Sequence, residues 1–276
     1  MHPDFIRIGP LDIHTYGVMV AIGFMIGLWV AARRAPSEGI KAEQIGDLGV
    51  WLIVFGMLGG KLFHIIFFWN DFIAGWRDAA AIALERSQLL HFSPFHQRIA
   101  VTLAELGSLR EGFVFYGGFI LATLTAIVFA RMKRLPLAKL VDVLAPSAAL
   151  GHMFGRLGCF FNGCCYGKEC ALPWAVKFPP PHVKAGIPLH PTELYEALGN
   201  LAIFAGLSAM YRHKRFDGQI WWWYVFSYGV LRFVVEFFRG DYDVYYFGTL
   251  TIAQVIAVFM IVIALVGLKL SRRQLA

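Results

Sequence analysis

Apolar runs of membrane length recur along the chain, separated by short basic segments or by segments rich in glycine and proline. Crossing the roughly 30 Å of hydrocarbon in a bilayer takes about 20 helical residues. Seven stretches qualify: Ile13 to Ala32, Ile45 to Trp69, Phe113 to Ala130, Val141 to Phe161, Leu194 to Met210, Ile220 to Phe238 and Leu250 to Leu268. The pattern predicts an all-α integral membrane protein with seven transmembrane helices, organised as a single polytopic domain over residues 1–276. Two longer interruptions, residues 70–112 and 163–190, are read as loop regions. The first holds amphipathic stretches such as "AAAIALERSQLL" that suit interfacial helices. In the second, "FPPPH" and "GIPLHP" bar regular helix. No internal repeat of the transporter kind is visible.

The basic residues orient these spans. Arg33, Arg34 and Lys41, then Arg131, Lys133, Arg134 and Lys139, then Arg212, Lys214 and Arg215, and finally Lys269, Arg272 and Arg273 fall at alternate helix ends. By the positive-inside rule they mark the cytoplasmic side, with the N-terminus and both loop regions outside and the C-terminus inside. The opening "MHPDFIRIGPLDIH" has no basic n-region, and no small-residue cleavage site follows the first apolar run. That run is expected to be retained as a helix.

Composition agrees with the pattern: 58% of residues are hydrophobic, only 16% are charged, and the mean hydropathy is +0.60, above the range of soluble domains. The net charge of +7 does not point to nucleic acid, because the basic residues are scattered between apolar runs and form no stripe or recognition motif. The four cysteines, Cys159, Cys164, Cys165 and Cys170, are expected to be small unpaired apolar residues. Their spacing of four between ligand pairs fits zinc sites poorly, so no metal is expected. A labile disulfide is the other reading.

Charge inside the spans carries the functional signal. Lys61, Asp142, Arg156, Arg232 and Glu236 lie in or at the edges of predicted helices, where an ionisable group costs about 2.5 to 3.5 kcal/mol even on the lenient scale. A structural ion pair explains one such residue more easily than the set. Arg156 and Arg232 both fall in the outer halves of their helices, and two arginines at similar depth repel unless an anion lies between them. In "SYGVLRFVVEFFRGD", Tyr228, Arg232, Glu236 and Arg239 recur at intervals of four, four and three and share one face. Glu236 is placed to hold the Arg232 guanidinium, which can offer a phosphate two parallel donors. Gly155 and Gly158 bracket Arg156, Gly59 and Gly60 precede Lys61, and Gly117 and Gly118 follow Tyr116. Such pairs are common in helix packing and also expose backbone amides. Together these residues indicate a site for an anionic phospholipid phosphate.

Several motifs in fixed order then carry a resemblance over most of the chain. "FIRIGPLDIHTYG", "GMLGGKLFH", "FYGG", "GRLGCFFNGCCYG", "HPTELYE" and "YGVLRFVVEFFR" resemble the ordered segments of the prolipoprotein diacylglyceryl transferase family. The resemblance implies a seven-helix enzyme of the bacterial cytoplasmic (inner) membrane. Such an enzyme takes phosphatidylglycerol and transfers its diacylglyceryl group to the lipobox cysteine thiol of a prolipoprotein, leaving a thioether and releasing glycerol phosphate. It implies Arg156, Arg232 and Tyr116 as catalytic residues. Tyr16, Lys61, Gly117, Gly118, Gly155, Gly158, Asn162, His190, Glu196, Tyr228, Glu236 and Arg239 are the implied substrate-binding residues. No cofactor and no metal are implied, and a monomer is expected. Tyr116, Lys61, Cys159 and Cys164 depart from the enterobacterial pattern, so the proton acceptor stays open among Tyr116, His152, His190 and Glu236. The alternative is a transporter or flippase for an anionic lipid, with the same arginines as a relay. A thiol redox enzyme would rest on the cysteines alone.

Overall fold

The structure, a computed structural model, describes residues 4–8, 11–89, 91, 93–108, 114–241 and 250–273. Gly9, Pro10, Gly112 and Phe113, which belong to the motifs and boundaries above, lie outside the described residues. The chain is mostly helical and divides into two compact units, one of Met1–Ile45 with Leu135–Ala276 and one of Gly46–Arg134.

The first unit opens on an antiparallel hairpin, β1 (Asp4–Ile8) with β2 (Leu11–His14), in which Arg7 faces Asp12 and Ile8 faces Leu11. This ribbon and a second one noted below add strand to an otherwise helical fold. Helix α1 (Thr15–Arg34) follows and runs into a 3-10 turn over Ala35–Glu38. Further along the chain come α6 (Leu137–Asn162), α7 (Thr192–Tyr211), α8 (Gln219–Glu236) and α9 (Ile252–Arg273). Small residues set how closely α1 and α6 approach. A Cβ on Gly23 would lie 2.6 Å from Cβ of Phe154, one on Gly27 3.1 Å from the Ser147 carbonyl oxygen, and one on Gly158 3.0 Å from Cδ2 of Tyr16. Ala145 and Ala149 of α6, Leu207 of α7, and Ile220 and Tyr224 of α8 form the buried core where those three helices meet.

At one end of that core the fully buried Asp142 accepts hydrogen bonds from the amides of Gly218, at 2.8 Å, and Trp221, at 3.0 Å. A carboxylate at the N-terminus of α8 meets its unsatisfied donors and the positive end of its dipole. Lys214 Nζ binds the same carboxylate at 3.3 Å and Glu38 at 2.7 Å, and the Tyr211 hydroxyl donates to Glu38 at 3.0 Å. Asp142 is thus a lock between α6 and α8, which accounts for one of the in-span charges without a ligand.

The segment between α6 and α7 is a folded loop. It carries β3 (Val176–Lys177) antiparallel to β4 (Pro188–Leu189). Phe178, 1% exposed, is buried beneath the His182 ring, with centroids 4.4 Å apart.

The second unit holds most of α2 (Ala42–Phe67), then α3 (Trp69–Leu89), α4 (Pro94–Ser108) and α5 (Phe115–Met132). Region 70–112, expected to be a loop with short amphipathic stretches, is largely two helices, α3 of 21 residues and α4 of 15. Gly59 and Gly117 lie backbone to backbone. A Cβ on either would run into the carbonyl oxygen of the other, and one on Gly118 would lie 2.9 Å from the Gly56 oxygen. The Val114 amide donates to the Gly60 carbonyl at 3.1 Å.

Among the described residues, four helices can by length and composition cross a membrane, Thr15–Glu38, Ala42–Phe67, Leu137–Asn162 and Ile252–Arg272, and Tyr116–Met132 is a shorter apolar helix. Helices α7 and α8, not among those four, carry Glu193, Glu196, Asn200, Arg232 and Glu236. Those residues are the subject of the next section.

Candidate active site

Helices α6, α7 and α8 each contribute a charge to one buried network. Glu196, in the second turn of α7 and 1% exposed, sits at its centre. Its Oε1 lies 3.1 Å from Nη2 of Arg156 on α6 and accepts a hydrogen bond from the Tyr228 hydroxyl on α8 at 3.3 Å. Its Oε2 lies 3.4 Å from Nη1 of Arg232, also on α8. The expected pair one turn along α8 is present, with Arg232 Nη2 2.9 Å from Glu236 Oε2. The other Glu236 oxygen accepts from the Thr251 hydroxyl at 2.7 Å. Arg239, just past the end of α8, lies 4.0 Å from Glu236 and forms a two-pronged pair with Asp241, whose Oδ1 accepts from Nε at 2.9 Å.

Three guanidinium groups therefore face three carboxylates. The stripe Tyr228, Arg232, Glu236 and Arg239 meets Glu196 and Asp241 rather than bare hydrocarbon. The anion between the two in-span arginines is a carboxylate of the protein itself, Glu196. That does not exhaust their donors: a guanidinium carries five N–H groups, and the side chains of Arg156 and Arg232 keep 17% and 15% exposure. Two cations held side by side by one carboxylate are chemically able to offer further N–H donors to an anion such as a phosphate.

The remaining candidates divide by unit. Tyr16, at the head of α1, packs its ring on Gly158, while a Cβ on Gly155 would meet nothing within 4 Å. Asn162 is the exposed last residue of α6. His190, at the end of the 163–190 loop, places Nδ1 3.1 Å from the Tyr195 hydroxyl and its ring edge-on to Phe238. His152 stacks on Tyr228 with centroids 4.8 Å apart, its Nδ1 3.4 Å from the Tyr224 hydroxyl. Lys61, Tyr116, Gly117 and Gly118 belong to the second unit. There Tyr116 is exposed, Lys61 Nζ stands 5.1 Å from the centre of the Phe72 ring, and Gly117 and Gly118 serve the α2–α5 crossing.

One feature escaped the sequence reading, and another was weighed there and set aside. Glu193, three residues before Glu196, is 1% exposed and, among the described residues, has no hydrogen-bond partner beyond its own backbone amide. The sulfurs of Cys159, Cys164 and Cys165 all lie within 4.8 Å of one another. The glutamates of "HPTELYE" were visible signals for the first. The second depends on a turn that spacing alone does not reveal.

A mostly helical chain with apolar helices of membrane length and a buried arginine–carboxylate network has the features of a helical membrane protein, and comparison with known proteins narrows that class. A profile of prolipoprotein diacylglyceryl transferases matches residues 3–270, and the chain belongs to that family. It is similar to proteins named phosphatidylglycerol–prolipoprotein diacylglyceryl transferase from three bacteria. The Finegoldia magna protein is 32% identical over 254 residues, covering 91% of this chain and 88% of that protein. The Clostridium tetani protein is 31% identical over 273 residues, covering 99% and 98%. The Geobacter sulfurreducens protein is 32% identical over 240 residues, covering 86% and 82%.

Proposed function

We propose that this chain transfers the diacylglyceryl group of phosphatidylglycerol to the lipobox cysteine thiol of a prolipoprotein, at the outer face of the bacterial cytoplasmic membrane. The observation that carries the reading is the bridging of Arg156 and Arg232 by Glu196. The spare donors of the two guanidiniums bind the lipid phosphate. Glu196 and Glu236 keep the arginines in place before substrate arrives, so little reorganisation is needed as charge develops. The substrate thiolate attacks the primary glyceryl carbon and a C–S bond forms. The C–O bond to phosphate breaks, its electron pair stays on the phosphate oxygen, and glycerol phosphate leaves. The cationic field that stabilises that oxygen also favours the thiolate over the thiol. Of the four candidate proton acceptors, Glu236 is the least available, because Arg232 and Thr251 already occupy its oxygens.

In this reading α1, α2, α5, α6, α7, α8 and α9 cross the membrane, with the N-terminus outside and the C-terminus inside. Helices α3 and α4 lie at the outer interface, and the transfer is carried out by a monomer, with no cofactor, metal or nucleic acid taking part in the chemistry. An anionic-lipid transporter is not favoured, since the family and the named relatives are transferases. The deciding experiment incubates purified protein with phosphatidylglycerol and a lipobox peptide and weighs the peptide by mass spectrometry. A mass gain equal to one diacylglyceryl group is expected, and an unmodified peptide sinks the assignment.

A further inference from the structure

The thiols of Cys159, Cys164 and Cys165 have no part in the proposed transfer, whose nucleophile belongs to the substrate. They are nevertheless gathered by specific backbone geometry. Helix α6 ends at Asn162, and Gly163 takes the left-handed conformation at φ +72°, its amide reaching back to the Cys159 and Phe160 carbonyls. The Cys164 amide donates to the Cys159 carbonyl at 3.2 Å, and its thiol points to the same oxygen at 3.7 Å. Cys165 is itself left-handed at φ +69°, unusual for a residue with a side chain. The Thr192 hydroxyl pins its carbonyl at 2.8 Å. A C-x4-C-C stretch is thereby folded back so that all three sulfurs lie within 4.8 Å of one another, each partly exposed and none in a disulfide. Cys170 is not among them.

We propose that Cys159, Cys164 and Cys165 form a three-thiolate site for a thiophilic d10 cation, Cu(I) or Zn(II). Sulfurs about 2.3 Å from one ion stand about 3.8 to 4.0 Å apart, so the cluster closes on an ion by a contraction of about 1 Å or less. Soft thiolates select these ions over hard cations. Three S–H protons leave as three metal–sulfur bonds form. Arg156 lies within electrostatic reach of Cys159 and Cys165, and Arg239 within reach of Cys165, so the negative complex is offset by fixed cations. Among the described residues the cluster consists of the three sulfurs alone, so a fourth ligand of zinc would be a water molecule. The bound ion staples the end of α6 to the root of the 163–190 loop.

The test uses the full-length protein in detergent, reduced and desalted without oxygen, then titrated with Zn(II) or Cu(I) against a chromophoric chelator. One equivalent per chain is expected, with three of the four cysteines shielded from iodoacetamide as counted by mass. Cys159→Ser, Cys164→Ser and Cys165→Ser should each weaken uptake by about 100-fold or more, while Cys170→Ser leaves it unchanged. Either ion bound at one equivalent and lost with any one of the three thiols supports the site. Uptake no greater than that of protein alkylated at all four cysteines, or undiminished uptake by Cys165→Ser, overturns the proposal.

Discussion

Arg156 and Arg232 close on the two oxygens of one carboxylate, Oε1 and Oε2 of Glu196, at 3.1 and 3.4 Å. The three residues come from three helices, so Glu196 fixes the separation of the guanidiniums as well as their charge. Removing one partner of a buried pair leaves the other uncompensated and typically costs about 3–5 kcal/mol. Glu196→Gln should therefore lower thermal stability and, by letting the arginines repel and turn, reduce kcat/KM for peptide lipidation by about 100-fold or more. Glu236→Gln should do less, because Arg232 keeps Glu196. Measuring both variants in one mass-spectrometric assay decides the order, and a larger loss in Glu236→Gln refutes Glu196 as the hub.

Arg156→Lys tests whether planar donors are needed. A lysine keeps the charge opposite Glu196 but is a point donor that cannot hold that carboxylate and a phosphate through one rigid fork. Turnover should fall by about 10²- to 10³-fold while the protein still folds. Arg156→Ala should abolish lipidation. Wild-type turnover in either variant would remove Arg156 from the mechanism.

How far the sequence foretold this arrangement differs by element. The stripe Tyr228, Arg232, Glu236 and Arg239 was legible because neighbours on one helix face follow from intervals of three and four. The pairing of Arg156 with Glu196 was not, since it joins helices 40 residues apart in sequence and depends on packing. Helix α3 reads as interrupted because Asp71, Arg77, Asp78, Glu85 and Arg86 break the apolar periodicity, and α4 because Arg98 and Glu105 do the same. In such segments helix length must be judged against the charged face as well as the apolar one. The hairpin at Asp4–His14 was hidden by its brevity, as strands of four or five residues barely register an alternation.

The glycines of the signature are not equivalent. A Cβ on Gly158 would stand 3.0 Å from Cδ2 and 3.3 Å from Cα of Tyr16, whereas one on Gly155 meets nothing within 4 Å. Gly158→Ala should force α1 and α6 apart and destabilise the protein by about 1–3 kcal/mol. Gly155→Ala should fold with an unchanged or slightly higher Tm, since alanine is the better helix former. Equal melting temperatures for the two variants would contradict the close approach of Tyr16 to Gly158.

Lys214 supplies a pH signature away from the candidate site. Burial alone would lower its pKa, but the hydrogen bond to Glu38 and the charge of Asp142 outweigh burial and hold it above the usual 10.5. A group whose pKa is raised on folding contributes its full stabilisation below the unfolded value, and that contribution is lost as pH rises through the folded value. The wild type should therefore keep its advantage over Lys214→Met from neutral pH to about pH 10 and lose it progressively above that. At neutral pH the variant should be the less stable of the two, because Asp142 and Glu38 lose the cation they share. Melting curves followed by tryptophan fluorescence for both proteins, from about pH 7 to 11.5, isolate the effect. Groups remote from Lys214 are common to the two chains, so the difference in Tm is the quantity that matters. A difference that stays constant across the range would mean that Lys214 does not act through its charge and that Asp142 is held by the Gly218 and Trp221 amides alone.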